Sequence, residues 1–289
     1  MNADGVGAMI RFEHIRKTFG PIVAVDDLTL EVRQGEVFGL LGPNGAGKTT
    51  TINLAVGLLA PDGGTVLLDG VDSPARPKAR RKIGVAPQAL ALYDDLSAEE
   101  NLAFFGRLYG LSGRTLTQRI AWCLDFVGLT ERRRGHAKTY SGGMKRRLNL
   151  AIALVHDPLV LLLDEPTVGV DPQSRNAIFD SILALNAEGR TIVYTTHYIE
   201  EAQRLCDRVG IMDHGRLLAL DTVDDLIAAH GGKSVVTAEG PDGAVRIETD
   251  DPLAELARLH ALGTLAHYRV DGPDLEVVFL NLTGRHLRD

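Results

Sequence analysis

The sequence feature that most constrains the fold is a glycine-rich stretch formed by Gly42, Pro43, Asn44, Gly45, Ala46, Gly47, Lys48 and Thr49. It fits the pattern Gly-x-x-x-x-Gly-Lys-[Ser/Thr], the Walker A phosphate-binding loop. Phosphate oxygens must approach consecutive backbone N–H groups. Glycine lets the loop curl around them, because it lacks a Cβ and tolerates positive φ. In this pattern the lysine ammonium reaches the β- and γ-phosphates, and the last hydroxyl ligates Mg²⁺. The stretch therefore predicts a nucleoside triphosphate site.

The residues on either side of this loop favour a strand that ends at it and a helix that begins there. Residues 37 to 41 form a short apolar run, as a buried strand would. Ile52, Ala55, Val56 and Leu59 then recur at the spacing of one helix face. A helix that begins at the loop directs the positive end of its dipole toward a bound triphosphate.

The bulk composition is that of an ordinary soluble globular protein of one or two domains. The chain has 289 residues, of which 45% are hydrophobic and 24% charged. Its formal net charge of -7 gives no support for nucleic-acid binding. Short basic runs at 80 to 82, 132 to 134 and 145 to 147 are interpreted as solvated helix faces, or as local contacts to a phosphate or a partner.

The cysteines and the apolar runs indicate the cellular setting. Cys123 and Cys206 lack any metal-ligand or Cys-x-x-Cys spacing, which favours buried, reduced thiols in a cytosolic protein. The first residues include Asp4 and no apolar signal-peptide segment. The longest apolar runs, such as residues 159 to 163, are too short to span a bilayer. We therefore expect any membrane role to come through another chain.

The order of the predicted elements indicates an α/β protein with an antiparallel sheet at its start. Apolar and polar residues alternate over 9 to 16 and 23 to 33, as in strands with one wet face. Further strands are predicted over 65 to 68, 82 to 86, 160 to 163, 191 to 195, 209 to 212 and 216 to 220, and helices within 98 to 126, from Asp171 and over 199 to 205.

The pattern breaks after residue 229, at His230, Gly231, Gly232 and Lys233, and a small α+β appendage is expected beyond that break. Its predicted strands cover 234 to 238, 244 to 248, 265 to 270 and 275 to 279. A helix from Pro252 is expected to carry Leu253, Leu256, Leu259 and Leu262 on one face.

Two carboxylates, Asp164 and Glu165, follow the apolar run at 160 to 163. This places them at the carboxyl edge of a parallel sheet, where the ligands of α/β proteins bind. Asp164 is expected to hold Mg²⁺ directly or through water, which is the Walker B role. Glu165 is positioned to take a proton from an attacking water.

A third motif, Ser141-Gly142-Gly143, precedes a helix with an apolar face. Ser141 suits a helix N-cap, and the two glycines expose amides at a second helix N-terminus. By itself this tripeptide is a weak signal, because Ser-Gly-Gly is more often a plain turn. Its place between the Walker A loop and the two carboxylates is what makes it informative.

With its motifs in this order, the sequence resembles the ATP-binding subunit of an ATP-binding-cassette (ABC) transporter over roughly residues 9 to 229. The resemblance implies an α/β P-loop NTPase fold with a RecA-like core, an N-terminal antiparallel β subdomain, and a helical subdomain over about 90 to 158. The ABC ATPase domain would then cover 9 to 229. A flexible tail over 1 to 8 would precede it, and an accessory α+β domain over 230 to 289 would follow.

The resemblance also assigns residues to roles. In this family the Ser-Gly-Gly signature reaches across a head-to-tail homodimer or heterodimer and caps the γ-phosphate of an ATP held by the partner's Walker A loop. Phe19 matches the aromatic that stacks on adenine, and Gln88 matches the Q-loop glutamine that senses Mg²⁺ and water. Asp171 matches the D-loop aspartate, and His197 the switch histidine that hydrogen-bonds the γ-phosphate.

The predicted site therefore has three sets of residues. The catalytic residues are Glu165, His197 and Lys48; the metal-site residues are Thr49, Gln88 and Asp164; the nucleotide contacts are Phe19, Gly42, Pro43, Asn44, Gly45, Ala46, Gly47, Lys48, Thr49, Thr50, Gln88, Ser141, Gly142, Gly143 and Asp171. The cofactors implied are ATP and Mg²⁺.

This sequence departs from the common family pattern at a few positions. Phe19 stands where tyrosine is more usual, Met144 where the signature glutamine is common, and Tyr140 where leucine is common. The D-loop over 168 to 171 reads Val-Gly-Val-Asp rather than Ser-Ala-Leu-Asp. None of these changes removes a catalytic group, so we expect activity, with weaker signature contacts to ribose.

Residues 167 to 175 and 196 to 202 resemble the ABC-2 type ATPases of drug export or nodulation export. Those proteins commonly end in a small domain that closes on Phe-Leu-x-Leu-Thr-Gly, matched here at 279 to 284. The resemblance implies Mg²⁺-dependent ATP hydrolysis by two copies that close on two ATP molecules. Their reopening would drive a separate membrane-spanning permease, with the ATPase held peripherally on the cytoplasmic face of the cell membrane.

The permease is expected to dock on the helical insert over about 90 to 138, in a groove beside Gln88, although the same apolar residues also fit a plain core. Two other functions stay open. A soluble ABC ATPase of DNA repair or translation would need a coiled-coil insertion or a second cassette, and neither occurs in this sequence. A regulatory or scaffold subunit is disfavoured by Glu165, Lys48 and His197, whereas Met144 keeps it open. No nucleic-acid partner is expected.

Overall fold

The computed structural model describes residues 7 to 240, 243 to 261 and 267 to 284. The chain divides into two compact units, Met1–Leu220 and Asp221–Asp289. The assignment of an ATPase domain to 9 to 229 and an accessory domain to 230 to 289 stays a prediction. Part of the tail predicted over 1 to 8 lies outside the described residues.

The first unit is built from nine strands and seven helices among its described residues, together with two short 3-10 turns at Thr130–Arg132 and Ala137–Thr139. The strands are β1 (Ala8–Phe19), β2 (Ile22–Arg33), β3 (Val37–Leu41), β4 (Gly63–Leu68), β5 (Ile83–Ala86), β6 (Val160–Asp164), β7 (Thr191–Thr196), β8 (Arg208–Asp213) and β9 (Arg216–Thr222). The helices are α1 (Lys48–Ala55), α2 (Pro77–Arg80), α3 (Ala98–Leu108), α4 (Gly113–Phe126), α5 (Gly142–Leu154), α6 (Pro172–Ala187) and α7 (Ile199–Leu205).

The small N-terminal sheet has the order β2-β1-β4, and both of its pairings are antiparallel. Ile10, Phe12 and Ile15 of β1 are buried, whereas Arg11 and Glu13 between them are partly exposed and lie within ion-pair distance of each other. The sheet therefore has one apolar face and one wet face, and the alternation predicted from the sequence is confirmed.

The larger sheet has the order β5-β6-β7-β3-β8-β9. Parallel pairing joins β5 to β6, β6 to β7, β7 to β3 and β3 to β8. All residues of β3, β6 and β7 are buried, as expected of central strands covered on both faces. Leu41 pairs with Thr196, and Asp164 with Thr195, so these three strands end at one edge of the sheet.

Helices α3, α4 and α5 form the helical part of the first unit. They pack through buried residues that include Leu102, Leu124 and Leu148. Ser97 begins α3 with a capping box, in which it accepts from Glu100 N while its own N–H donates to Glu100 Oε2. The helices predicted within 98 to 126 are confirmed, and α2 is an element that the sequence pattern does not predict.

The second unit consists of α8 (Val223–His230), β10 (Ser234–Gly240), β11 (Gly243–Thr249), α9 (Pro252–Ala261), β12 (His267–Asp271) and α10 (Leu275–Thr283). Its antiparallel sheet has the order β11-β10-β12, and Leu259 of α9 packs with Val236 and Ala238 of β10. The predicted α+β character is confirmed. Leu262, expected on α9, and residues 265 and 266, expected in β12, lie outside the described residues.

One predicted element is wrong, and another ends at a different residue than predicted. Residues 275 to 279 form the start of helix α10 rather than a strand, because Asp274 caps the helix by accepting from Val277 N at 2.9 Å. The helix buries Leu275, Val278 and Phe279, and the last two lie three and four residues after the first, on the same helix face. Helix α1 also ends earlier than predicted, so that Leu59 lies beyond it. Gly57, with φ of 68°, follows its C-cap and turns the chain away.

Within the described ranges, no helix has both the length and the apolar character needed to cross a membrane.

Candidate functional site

The glycine-rich loop connects the end of β3 to the start of α1 and is held at both ends by close backbone contacts. Gly42 N donates to Thr196 O at 3.2 Å, and a Cβ on Gly42 would collide with the carbonyl oxygen of Met212. Gly47 is the N-cap of α1 with φ of 104°, and a Cβ there would collide with the carbonyl oxygen of Ala24. Glycine is thus required at these two positions by close approach, and at Gly47 by backbone conformation as well.

Lys48 bends back over the loop that precedes it. Its Nζ donates to Gly42 O at 2.7 Å and to Pro43 O at 3.0 Å, and the side chain is only 5% exposed. Asn44 and Gly45 at the tip of the loop are exposed, whereas Ala46 is buried and Thr50 is half-buried in the first turn of α1. The loop therefore presents an exposed glycine-rich tip above a buried ammonium group.

Thr49 and Asp164 bring two hard oxygen ligands together. Thr49 Oγ1 donates to Asp164 Oδ2 at 2.8 Å, and Thr195 Oγ1 donates to Asp164 Oδ1 at 2.6 Å. In the part of the chain that the structure describes, no group of three or more His, Cys, Asp or Glu side chains is arranged to hold a metal. Mg²⁺ commonly takes one or two protein oxygens and completes its shell with phosphates and water, so the Thr49–Asp164 pair fits this ion.

Glu165 lies at the centre of the site. Its φ of 46° is in the left-handed region, and its N–H donates to Thr195 Oγ1 at 3.0 Å. Oε2 accepts from Gln88 Nε2 at 3.0 Å, while Oε1 lies 3.1 Å from Lys48 Nζ and 3.2 Å from His197 Nδ1. The structure thus brings the four predicted residues Lys48, Gln88, Glu165 and His197 into contact.

The His197 ring has an unmet hydrogen-bonding capacity. Although His197 Nδ1 lies 3.2 Å from Glu165 Oε1, the two groups are not aligned for a hydrogen bond. This nitrogen is therefore buried without a hydrogen-bond partner among the described residues. Buried polar atoms are rarely left unpaired, and one that lies beside Glu165 at this site fits contact with a ligand.

The start of α5, which carries the Ser-Gly-Gly signature, packs against the start of α6, which follows the D-loop. Ser141 caps α5 by accepting from Met144 N at 3.2 Å, and Asp171 caps α6 by accepting from Ser174 N at 2.9 Å. This N–H holds the pKa of Asp171 below its usual value. A Cβ on Gly143 would collide with the Ser174 side chain. Among the described residues, no hydrogen bond or ion pair joins the signature or Asp171 to Glu165; the D-loop reaches it through Val168, whose N–H donates to Glu165 O at 3.3 Å.

Phe19, at the end of β1, also stands apart from Glu165. Its side chain is 47% exposed, and the ammonium of Lys17 lies 5.6 Å from the ring centroid. An exposed aromatic face of this kind is available for stacking on a nucleobase. The exposed position of Phe19 is compatible with the predicted stacking on adenine, which stays a prediction.

Arg146 is a residue at this site that sequence reasoning missed. Its Nη1 donates to Gln88 O at 2.5 Å and its Nη2 to Val168 O at 3.4 Å. Burial lowers the pKa of Arg146, and the carboxylates of Glu165 and Asp164 oppose that shift. In the sequence it appeared only as one member of the basic run at 145 to 147. No feature of that run distinguishes Arg146 from Lys145 and Arg147.

Asn149 is the second missed residue. It lies on the buried side of α5, where its Nδ2 donates to Pro87 O at 3.1 Å and its Oδ1 accepts from Ala91 N at 3.3 Å. It thereby holds the backbone on both sides of Gln88. The available signal was a polar residue between Leu148 and Leu150 on a largely apolar helix.

Comparisons with known proteins point to one family. The sequence model of the family described as "ABC transporter" matches residues 25 to 168. The linearmycin resistance ATP-binding protein LnrL of Bacillus subtilis is 42% identical, over 97% of this chain and 100% of that protein. The Nod factor export ATP-binding protein I of Cupriavidus metallidurans is 42% identical, over 98% of this chain and 99% of that protein.

Solved structures give the same result. An ATP-binding subunit of an ABC transporter has 30% sequence identity and a TM-score of 0.70, over 77% of this chain and 93% of that one. A dimeric ATP-binding cassette in a post-hydrolysis state, bound to ADP and Pi, has 28% identity and a TM-score of 0.68, over 74% of this chain and 98% of that one.

Proposed function

The chain belongs to the ABC transporter family and is an ATP-hydrolysing subunit of the export type; on this premise we propose that Glu165 is the general base of hydrolysis. The observation that carries the proposal is the position of the Glu165 carboxylate, within 3.2 Å of Gln88 Nε2, Lys48 Nζ and His197 Nδ1. A carboxylate at the edge of the sheet and beside the phosphate-binding loop can accept a proton from a water that attacks the γ-phosphate.

The other residues bind and orient the triphosphate. The backbone N–H groups of the loop and the start of α1 receive phosphate oxygens, and Lys48 offers them an ammonium group. Thr49 and Asp164 would hold Mg²⁺, which neutralises the charge of the β- and γ-phosphates when it is bound. His197, whose Nδ1 has no hydrogen-bond partner in the described part of the chain, would contact the γ-phosphate.

We propose that this site is completed by a second ATP-binding subunit. Ser141, Gly142 and Gly143 make no hydrogen bond or ion pair with Lys48, Glu165 or His197 in the described part of their own chain. The tripeptide nevertheless presents the N-terminus of the long helix α5, which suits an anionic phosphate. A dimeric cassette with ADP and Pi is among the structurally similar proteins. A head-to-tail pair, with identical or different subunits, would bring each signature to the other subunit's ATP.

The proposed permease contact lies on the helical part of the first unit. Tyr93 and Phe104 are 47% and 37% exposed, and their rings pack edge-on at 4.8 Å. A cavity of about 770 Å³ next to them is lined by α3 residues together with Arg134 and His136, and Gln88 is not among its lining residues. An exposed aromatic surface suits an amphipathic helix of a membrane protein. The chain would then lie on the cytoplasmic face of the membrane.

The proposed role in the cell is export. The two relatives named above are described as a linearmycin resistance protein and a Nod factor export protein, and both match this chain over almost its whole length. The match includes the second unit, which is present in this chain as a folded α+β structure.

The proposal is tested with the purified full chain and its Glu165→Gln variant. ATP turnover, measured as phosphate release with Mg²⁺, should fall about 100-fold or more, because the amide cannot accept the proton. ATP binding should persist, and light scattering should show a closed dimer accumulating with Mg-ATP. Glu200→Gln, an exposed residue of α7, is the matched control and should keep wild-type turnover. Unchanged turnover in Glu165→Gln would overturn the assignment of the base.

A further inference from the structure

A second buried carboxylate, Glu201 of α7, lies behind the site and has no part in the chemistry described so far. Its side chain is 2% exposed. It accepts three hydrogen bonds from hydroxyl groups: Thr167 Oγ1 donates to Oε1 at 2.7 Å, and Tyr194 OH and Thr196 Oγ1 donate to Oε2 at 2.8 and 2.7 Å. Such a fully bonded buried carboxylate rigidifies the segments that it joins.

The segments joined by Glu201 are those that carry the two reacting side chains. Thr167 lies two residues after Glu165, and Thr196 lies directly before His197. The Thr196 hydroxyl also accepts from Tyr198 N at 2.9 Å, so the chain is held on both sides of His197. Glu201 therefore sets the position of the loop after β6 relative to the loop after β7.

Among the described residues, Arg175 is the cation that lies within ion-pair distance of Glu201. Arg175, in the first turn of α6, places its Nε 3.7 Å from Glu201 Oε1, and its guanidinium lies 5.5 Å from the ring of Tyr198. A buried carboxylate needs hydrogen bonds and a counter-charge to offset its lost hydration. Arg175 supplies that counter-charge. Because Arg175 lies on α6, the helix that Asp171 caps, the D-loop is linked to the same cluster.

We propose that Glu201 is a positioning residue for ATP hydrolysis, which holds Thr167 and Thr196 so that the Glu165 carboxylate and the His197 ring meet at the γ-phosphate. The inference rests on the proposed function of Glu165 and His197. A residue that served only stability would change the melting temperature of the chain and leave the turnover of the folded enzyme unaltered.

The test removes single hydroxyls of the cluster without changing side-chain volume. Thr196→Val and Thr167→Val should each lower kcat about tenfold, with KM for ATP changed less than about twofold, since misplaced catalytic groups affect the chemical step more than binding. The control is Thr191→Val. Thr191 is a buried threonine of the same strand β7 whose Oγ1 accepts from Gly35 N at 2.8 Å, at the opposite end of the strand. It should lower the melting temperature and leave kcat at the wild-type value.

Two further variants separate positioning from folding. Glu201→Gln keeps an acceptor oxygen and the side-chain size, so it should fold and show part of the kcat loss. Thr167→Val in the Glu165→Gln background should lower the residual turnover by less than twofold, because Thr167 lies on the segment of Glu165, whose carboxylate is already absent.

The outcomes distinguish this inference from the proposed function. If Glu165→Gln abolishes turnover but Thr196→Val and Thr167→Val behave like Thr191→Val, the positioning role of Glu201 is wrong while the base assignment stands. A full tenfold further loss from Thr167→Val in the Glu165→Gln background would also overturn it. If Glu165→Gln keeps wild-type turnover, the proposed function itself fails.

Discussion

The ammonium nitrogen of Lys48 lies 3.1 Å from Glu165 Oε1, and both side chains are 5% exposed. Lys48 is the first residue of α1 and Glu165 directly follows β6, and the buried setting strengthens the attraction between the two side chains. Under the proposed function, a triphosphate on the glycine-rich loop would compete with Glu165 for this ammonium. With the ammonium on phosphate oxygens, the proposed base would keep Gln88 and His197 as its neighbours.

Lys48→Ala should abolish detectable ATP binding. The substitution removes the cation that faces the phosphates and leaves the negative Glu165 close to them. Binding is measured by isothermal titration calorimetry with Mg-ATP. Lys138→Ala, which removes a solvent-exposed ion pair with Asp95, is the control and should bind like the wild type. Retained binding in the nanomolar-to-micromolar range in Lys48→Ala would contradict the role given to the loop.

Arg146→Gln should lower kcat about tenfold while ATP still binds. The guanidinium joins the backbone at Gln88 to the backbone at Val168, and glutamine is too short to make both contacts. Steady-state phosphate release gives kcat and KM separately, with Lys138→Gln as the charge-matched control. Equal kcat in the two variants would show that the contact of Arg146 with the Gln88 segment has no catalytic importance.

Gly47→Ala should destabilise the chain more than Gly45→Ala. Both positions have positive φ, 104° and 81°, and this costs about 1 to 2 kcal/mol for an L side chain. At Gly47 the new methyl group also collides with the Ala24 carbonyl, whereas at Gly45 no atom lies within 4 Å. We expect a difference of roughly 1 to 3 kcal/mol in the free energy of unfolding by denaturant. Equal losses would mean that the loop relaxes away from Ala24.

The chain should lose stability between pH 6.5 and pH 4 through His156. Burial lowers the pKa of His156 from 6.5 to about 4, and its ring stacks on Tyr109 at 3.6 Å. The unfolded chain takes up a proton below pH 6.5 that the folded chain resists. The contribution is therefore complete above pH 6.5 and is lost as pH falls toward 4, by at most about 3 kcal/mol.

His156→Gln removes this titration and should flatten the pH dependence of unfolding across that window. His260→Gln, an exposed histidine of α9, is the control and should retain the wild-type slope. A slope in His156→Gln equal to that of the wild type would assign the acid sensitivity to other groups.

Much of the local structure was predictable because it depends on short-range constraints. The glycines and the apolar run before Lys48 are enough to predict β3 and the loop, and the acidic N-cap and proline at Asp171 and Pro172 predict the start of α6. The strand predicted over 275 to 279 was wrong because a short apolar run fits a strand or a buried helix equally well. Asp274 as N-cap and Gly284, with φ of 73°, fix the helical choice.

By itself the sequence determined which chemical groups are present and in what order: a phosphate-binding loop, two carboxylates after an apolar strand, and a histidine after the next one. It did not determine which of them touch. Gln88 and Glu165 are 77 residues apart in the chain, and the contacts of Glu165 with Lys48 and His197 follow from the parallel register of β3, β6 and β7. That register is fixed by backbone pairing and burial across the whole sheet, so only the tertiary structure could decide that these side chains meet at one edge.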